Sequence, residues 1–395
     1  MSNDIPLPAA DPPGYTLWQL VAYMLRLGTL GFGGPVALVA YMYRDLVERR
    51  LWISEADYKE GMTLAQLMPG PLAAQLAIYL GYVHFSLTGA TLAGLAFVLP
   101  SFVMVVALGA LYVAYGGIGW MQAVFYGVGA SVIGIITLSA YKLTTKNIGK
   151  DKLLWAIYVA SAAVTVVTQS EVIWVFLGAG MLVWVVRTRP GKGISDRLNS
   201  IAFAAVPLAG SVASGAFDWH KLGQIGAYFA YAGTFVFGSG LAIVPFLYGG
   251  VVKEYGWLTD RQFVDAVAVA MITPGPVVIT TGFIGYLVSG FWGAVVAALA
   301  TFLPCYLLTV IPAPYFKKHG KQPGIVAFVD GVTAAAIGAI TGAVIVLAQR
   351  SIVDGVTALL ALATAAILWR FKKLPEPVIV LAAALIGLGA RSLMT

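Results

Sequence analysis

Apolar residues run along this chain in long blocks, and the informative positions are those that interrupt them. Blocks near 88–114, 121–143, 152–168 and 172–187 are matched later by blocks near 292–315, 325–347, 354–369 and 377–391. Runs of roughly 17–25 apolar residues predict helices that cross a bilayer. Ahead of each set of four lie two segments that begin as apolar helices and then break. Over 18–48 the break is Gly33-Gly34-Pro35, and over 57–84 it is Pro69-Gly70-Pro71. Proline removes an amide donor and clashes with the preceding turn, while glycine frees the backbone, so neither segment continues as one helix. Lipid does not tolerate unpaired backbone groups. A break at membrane depth therefore sits inside protein or lines a wet cavity.

The interruptions recur in order. Phe32-Gly33-Gly34-Pro35 aligns with Phe237-Gly238-Ser239-Gly240 at an offset of 237 − 32 = 205. Trp52 with Trp257, and Pro69-Gly70-Pro71 with Pro274-Gly275-Pro276, keep that offset. After one deletion the offset is 204, which pairs Gly81-Tyr82 with Gly285-Tyr286, Pro100 with Pro304, Gly127 with Gly331 and Gly134 with Gly338. The expected fold is an all-α integral membrane protein of two repeats, each carrying two broken helices and four spanning helices. Residues 1–15 are expected to be a disordered cytoplasmic tail, 16–190 the first repeat and 222–395 the second. The linker, 191–221, contains an apolar run at 198–217 long enough for one crossing, giving about 13 membrane segments in all.

Lysine and arginine set the orientation. The first repeat gathers Lys142, Lys146, Lys150 and Lys152 in one loop, and Arg187, Arg189, Lys192 and Arg197 after its last span. The second repeat gathers Lys317, Lys318 and Lys321, then Arg370, Lys372 and Lys373, one crossing out of step with the first. By the positive-inside rule the repeats are inverted, with the N-terminus cytoplasmic and the C-terminus external. The broken segments read either as re-entrant hairpins or as kinked full crossings. Arg44, Arg49 and Arg50 favour hairpins, and both choices keep the parity. Inverted repeats with broken helices near the midplane characterise secondary transporters.

Composition agrees with this reading. Of 395 residues 60% are hydrophobic and 10% charged, with a mean hydropathy of +0.87; soluble domains carry roughly 25% charged residues. The formal charge of +7 lies in short clusters between apolar spans, which makes it a topology signal rather than a nucleic-acid surface. The first 15 residues hold Asp4, Asp11 and four prolines without a basic or apolar stretch, so a cleaved signal peptide is not expected. Enzyme motifs are missing: His84, His220 and His319 stand apart, Cys305 is the lone cysteine, and no phosphate-binding loop motif occurs. No cofactor or metal is expected.

The breaks themselves offer chemistry. A helix N-terminus with unpaired amides and small residues around it attracts an anion. Candidate donors are the amides of Gly33, Gly34, Val36 and Ala37 beside Pro35, and those of Gly70 and Leu72 to Ala74 around Pro69 and Pro71. The second repeat offers Gly238, Ser239 and Gly240, then Gly275 and Val277 to Ile279 flanked by Pro274 and Pro276, with Thr280 and Thr281 close by. Gln66 and Gln75 flank the first Pro-Gly-Pro as potential hydrogen-bond partners, or as glue between helices. Arg26 either supplies a cation to the site or reaches toward the interface. Arg44–Glu48 and Asp45–Arg49 read as ion pairs on a solvated turn, and Asp265, whose counterpart is Glu60, reads the same way. Asp330 is either a proton-responsive group or an interfacial partner for Lys317 or Lys318.

At these residues the sequence resembles the chromate ion transporter family. Gly31-Phe32-Gly33-Gly34-Pro35, Trp52, Leu64-Ala65-Gln66-Leu67-Met68-Pro69-Gly70-Pro71, Gly81-Tyr82 and Phe97-Val98-Leu99-Pro100-Ser101-Phe102 look like that family's N-terminal domain. Phe237-Gly238 through Gly285-Tyr286 look like its second domain, as in long two-domain members. The resemblance implies export of chromate, with sulfate as a competing or alternative anion, and places the family's glycines and prolines on the breaks. Leu38 stands where members often carry glutamine or histidine, and Ser239 where glycine is usual. An anion channel on the same scaffold and a membrane-embedded enzyme are the alternative readings, and a homodimer stays open as an assembly.

Overall fold

In the computed structural model the described residues are 14–32, 34–115, 119–168, 173–188, 218–234, 236, 243–315, 322–371, 374 and 376–392. The tail at 1–13, the linker crossing at 198–217, Gly33 and the Gly238-Ser239-Gly240 break fall outside them. Among the described residues all regular structure is helical. In the first repeat these are α1 (Leu17–Leu30), α2 (Gly34–Met42) with a π-helical continuation at Tyr43–Arg49, α3 (Glu55–Leu67), α4 (Leu72–Tyr115), α5 (Gly119–Asn147), α6 (Lys152–Thr168) and α7 (Ile173–Thr188). The second has α8 (Trp219–Thr234), α9 (Ile243–Leu247) with π-helical Tyr248–Glu254, α10 (Asp260–Ile272), a short 3₁₀ turn at Val277–Ile279 and α11 (Thr280–Val310). It ends with α12 (Pro323–Ser351), α13 (Gly355–Arg370) and α14 (Glu376–Ser392). The interruptions start where capping chemistry allows: Thr16 with Gln19 boxes the start of α1, and Thr259 with Gln262 that of α10.

The chain reverses at its breaks. Gly61 on α3 packs against the ring of Tyr79 on α4. If the chain ran straight through Pro69-Gly70-Pro71, those residues would stand about 27 Å apart. Tyr15 stacks on Trp52 with ring centroids 4.8 Å apart, which likewise closes the first broken segment on itself. Both are hairpins. A further reversal falls inside α4, where Phe85 and Ser86 leave helical geometry (φ −131° and 52°) and Gly81 comes to rest on the carbonyl of Gly89. α11 repeats this turn at Ser289 and Gly290, with Gly285 on Gly293. Only residues without bulk at the contact let two helices approach so closely.

The later helices are exchanged between repeats. α5 packs on α13 and α14, whereas α12 packs on α6 and α7. Gly127 meets the carbonyl of Ala383, and Gly331 meets that of Ala179. Both pairs are offset by 204 (331 − 127 and 383 − 179), so the contact is reciprocal, as at a two-fold interface. The ends of these helices are tied the same way. Asp151 and Asp354 cap α6 and α13 through the amides of Leu153 and Thr357. Asp354 accepts from Tyr126 of α5, and Asp151 is joined to Asp330 of α12 through Arg187. Among the described residues the partner of Asp330 is Arg187, because exchange of α12 brings it against α7, and Lys317 and Lys318 lie outside those residues.

Four helical stretches are long and apolar enough to cross a membrane: Leu72–Tyr115, Gln122–Thr145, Val277–Tyr315 and Pro323–Gln349. Leu95, Leu99, Val103 and Leu111 form an exposed apolar ridge along α4, as a lipid-facing helix presents. The chain is a multi-pass membrane protein.

Candidate functional site

The two Pro-Gly-Pro turns meet the opposite repeat. Gly70 N–H donates to the carbonyl of Val236 (2.5 Å), and Gly275 N–H to that of Gly31 (3.0 Å). Both donors and both acceptors are related by the offset of 205 (275 − 70 and 236 − 31). Each turn therefore docks on the chain just before the other repeat's first break. Glycine is required here by backbone angle: φ is +145° at Gly70 and +95° at Gly275. At Gly275 a Cβ would strike Ser101 Oγ, which itself donates to Pro274 O at 2.7 Å. At Gly70 it would come within 2.6 Å of the Gln75 amide, whose Nε2 donates to Pro69 O at 2.8 Å. A serine from α4 secures one turn and the turn's own glutamine the other.

This changes which donors remain. The amides of Gly70 and Gly275, expected to be free, are spent on the bonds between repeats. Those of Leu72, Ala73 and Ala74 have no partner among the described residues, although all three residues are buried. A buried helix start with unpaired amides is an anion-binding arrangement. Across the junction the chain starts as a 3₁₀ turn, so Ile279 N–H is consumed by Pro276 O, leaving those of Val277 and Val278. Thr280 donates its hydroxyl to Val277 O and Thr281 to Val278 O, so neither presents a free proton to a ligand. Gln75 is fully buried and its Oε1 has no partner.

Other expected participants lie elsewhere. Gln66 is exposed on α3, because the hairpin turns its side outward. Arg26 is exposed too and lines a cavity that reaches Gly31. Asp45 pairs with Arg49 (3.5 Å) as expected, but Arg44 pairs with Asp45 (3.2 Å) rather than Glu48, the π-helical turn having shifted the spacing. Asp265 is not on a solvated turn at all. It is 3% exposed and accepts from Tyr112 Oη of α4 at 2.8 Å. Pro274, Gly275 and Pro276 are buried, as are Gly70 and Pro71, whereas Pro69 is half-buried. Gly34 begins α2, with Pro35 in its first turn. Sequence reasoning missed Ser101 and the carbonyls of Gly31 and Val236. Ser101 sits beside Pro100, whose repeat partner Pro304 is followed by Cys305, so the repeat hides the serine's role. Among the described residues no three His, Cys, Asp or Glu side chains converge as a metal site would need.

Among the described residues the protein is all-helical, with apolar spans and a buried helix start after each Pro-Gly-Pro turn. A family model described as "Chromate transporter" matches residues 18–184 and again 223–388. The chain is 71% identical over 383 residues to a chromate transport protein of Cupriavidus metallidurans, covering 97% of this chain and 95% of the relative. It is 63% identical to a probable chromate transport protein of Synechococcus elongatus (95% and 96% covered). With a chromate transport protein of Pseudomonas aeruginosa the identity is 32% (96% and 93% covered). No solved structure matches the chain. The chain belongs to the chromate transporter family, as one of its two-domain members.

Proposed function

We propose that this protein is a secondary transporter that exports chromate across a bacterial inner membrane, with sulfate as a competing oxyanion. The observation that carries the reading is the reciprocal pair Gly70–Val236 and Gly275–Gly31. It docks each Pro-Gly-Pro turn, and with it the buried helix start that follows, on the opposite repeat, and in this reading the two starts border one anion site. Leu72, Ala73 and Ala74 supply three unpaired amides there, and Val277 and Val278 two more. Their dipoles favour a compact dianion, and apolar walls keep the field unscreened. Gln75 Oε1 is an acceptor, suited to a protonated oxygen of the anion or to a water carried with it. Transport by alternating access follows if the hairpins rock against the exchanged helices α5 and α12 while the junction stays closed to one side.

The inverted arrangement is supported by the basic clusters together with the helix-end ties. The Asp151–Arg187–Asp330 tie lies beside the lysine-rich loop of the first repeat, and the Tyr126–Asp354 tie lies one crossing away in the second. This reading puts the N-terminus in the cytoplasm and the C-terminus outside. Flux of chromate and sulfate into proteoliposomes tests the function. Saturable uptake in which each anion competes with the other is the expected result. Pro69→Ala with Pro71→Ala, and separately Gln75→Met, should lower chromate flux at least tenfold while the protein stays folded. Unchanged flux in both variants sinks the site, and voltage-driven flux without saturation makes the protein a channel.

A further inference from the structure

A cationic cavity adjoins Gly31, whose carbonyl accepts from Gly275. This cavity of about 420 Å³ lies between α1 and the π-helical turn after α2, with Gly31 in its wall. Arg26, Arg44, Arg49 and Arg50 line it against the single carboxylate of Asp45, a surplus of 4 − 1 = 3 positive charges. These arginines are held in place. Asp45 fixes Arg44 and Arg49, and Arg50 rests over the rings of Trp52 (4.4 Å) and Tyr23 (5.4 Å). Arg26 makes no ion pair among the described residues. An independent sign of a ligand comes from Tyr23, which is 7% exposed, lines the same cavity, and whose hydroxyl is buried without a partner.

The second repeat has nothing comparable. At the offset of 205, Arg26, Arg44, Asp45, Arg49 and Arg50 become Tyr231, Gly249, Gly250, Glu254 and Tyr255. The fold repeats, and the charge does not. We propose that this cavity is a one-sided capture site for a divalent oxyanion, which binds among the arginines and the Tyr23 hydroxyl before it passes Gly31 to the junction. The inference rests on the transporter reading and deepens it by giving the exported anion a site of entry. The arginines lie on the face that the positive-inside rule assigns to the cytoplasm, so capture favours anions to be exported. Held guanidinium groups around a concave wall raise the local anion concentration, an effect that salt suppresses. A lipid phosphate has the same chemistry as a free oxyanion, so the test must separate them.

Initial rates of chromate transport, measured from the arginine-bearing face in vesicles of neutral phosphatidylcholine, provide that test. Arg44→Gln and Arg49→Gln should each raise the half-saturating concentration about tenfold with kcat little changed, and should flatten its dependence on salt. Asp45→Asn should move it the other way. An unchanged half-saturating concentration and salt slope overturn the proposal, as does a loss of kcat alone, which marks a structural role. Adding phosphatidylglycerol separates the sources. If anionic lipid raises the half-saturating concentration of the wild type and the arginine variants lose that response, the cavity holds a lipid headgroup, and the oxyanion assignment falls. Failure of the wild type to carry any oxyanion would instead refute the transporter reading itself.

Discussion

Helices α3 and α10 occupy the same place in the two repeats, each leading into a Pro-Gly-Pro turn, and their surroundings are opposite. α3 buries Tyr58, Gly61, Leu64 and Ala65, and its other face carries the Glu55–Lys59 pair in the open. α10 is buried continuously from Phe263 to Met271, enclosed by α5, α11 and α14. Asp265 of α10 is inside the protein, where among the described residues it accepts from the Tyr112 hydroxyl, and Arg261 stands one turn earlier on the same helix. The backbone device is duplicated because the docking of each turn on the other repeat requires it twice. Side-chain chemistry is under no such constraint, and the two copies have diverged into a cation-rich first hairpin and a second hairpin with a buried acid.

The sharpest way to break this comparison is at the two turn glycines. Gly275→Ala meets both a left-handed backbone and the Ser101 hydroxyl on a neighbouring helix, and should cost about 3 kcal/mol or more. Gly70→Ala meets similar backbone strain, but its neighbour is the Gln75 side chain, so about 1–2 kcal/mol is expected. Thermal melts of the purified variants decide the order, and equal losses would remove the distinction between a turn secured by another helix and one secured by itself.

Next in size is Asp265→Ala, which strands the Tyr112 hydroxyl and should cost about 1–3 kcal/mol, while Asp265→Asn keeps an acceptor and loses less. Glu55→Ala on the exposed face of α3 should leave the melting temperature unchanged. A comparable loss in both helices would mean that α3 is buried in the membrane-bound protein as α10 is.

The smallest effects belong to the helix-end ties. Arg187→Gln should cost about 1 kcal/mol or less, since its two carboxylate partners are partly exposed. Their response to acid differs in cause. The hydrogen bond from Arg187 holds the Asp151 carboxyl below its ordinary range, whereas Asp354 is lowered mainly by the Thr357 amide. A carboxyl depressed on folding stabilises above its unfolded pKa, and that contribution disappears as pH falls through the folded value. The advantage of wild type over Asp151→Asn should therefore shrink from about pH 5 downward. In an Arg187→Gln background the shrinkage should largely vanish, whereas the loss at Asp354 should persist there. Melts across that pH range with the single and double variants make the check.

How much of this could be read from the chain depends on the kind of signal. The helices at 119–147, 152–168, 323–351 and 355–370 follow from apolar blocks bounded by charge and glycine, and the two Pro-Gly-Pro turns follow from proline paired with glycine, whereas the single prolines Pro100 and Pro304 are carried inside α4 and α11. The chain reversal at Pro69-Gly70-Pro71 was an open alternative, because a kink and a hairpin use the same residues. Asp265 was misread as solvated, and Gln66 was taken with Gln75 as a candidate ligand although only Gln75 is buried. Burial is a property of what packs on a helix, and a sequence window does not contain the neighbour.

By itself, then, the sequence determined the membrane character, the two repeats, their register and the two Pro-Gly-Pro turns, since each rests on local physics: apolar length, missing amide donors and permissive backbone. Only the tertiary structure decided that α5 and α12 change places, that the glycine amides at 70 and 275 are spent holding the repeats together, and that of the donors expected around the first turn those of Leu72 to Ala74 stay unpaired. The reason is the same in each case. A break frees backbone groups wherever it occurs, but which of them find partners is settled by whatever the rest of the chain brings alongside.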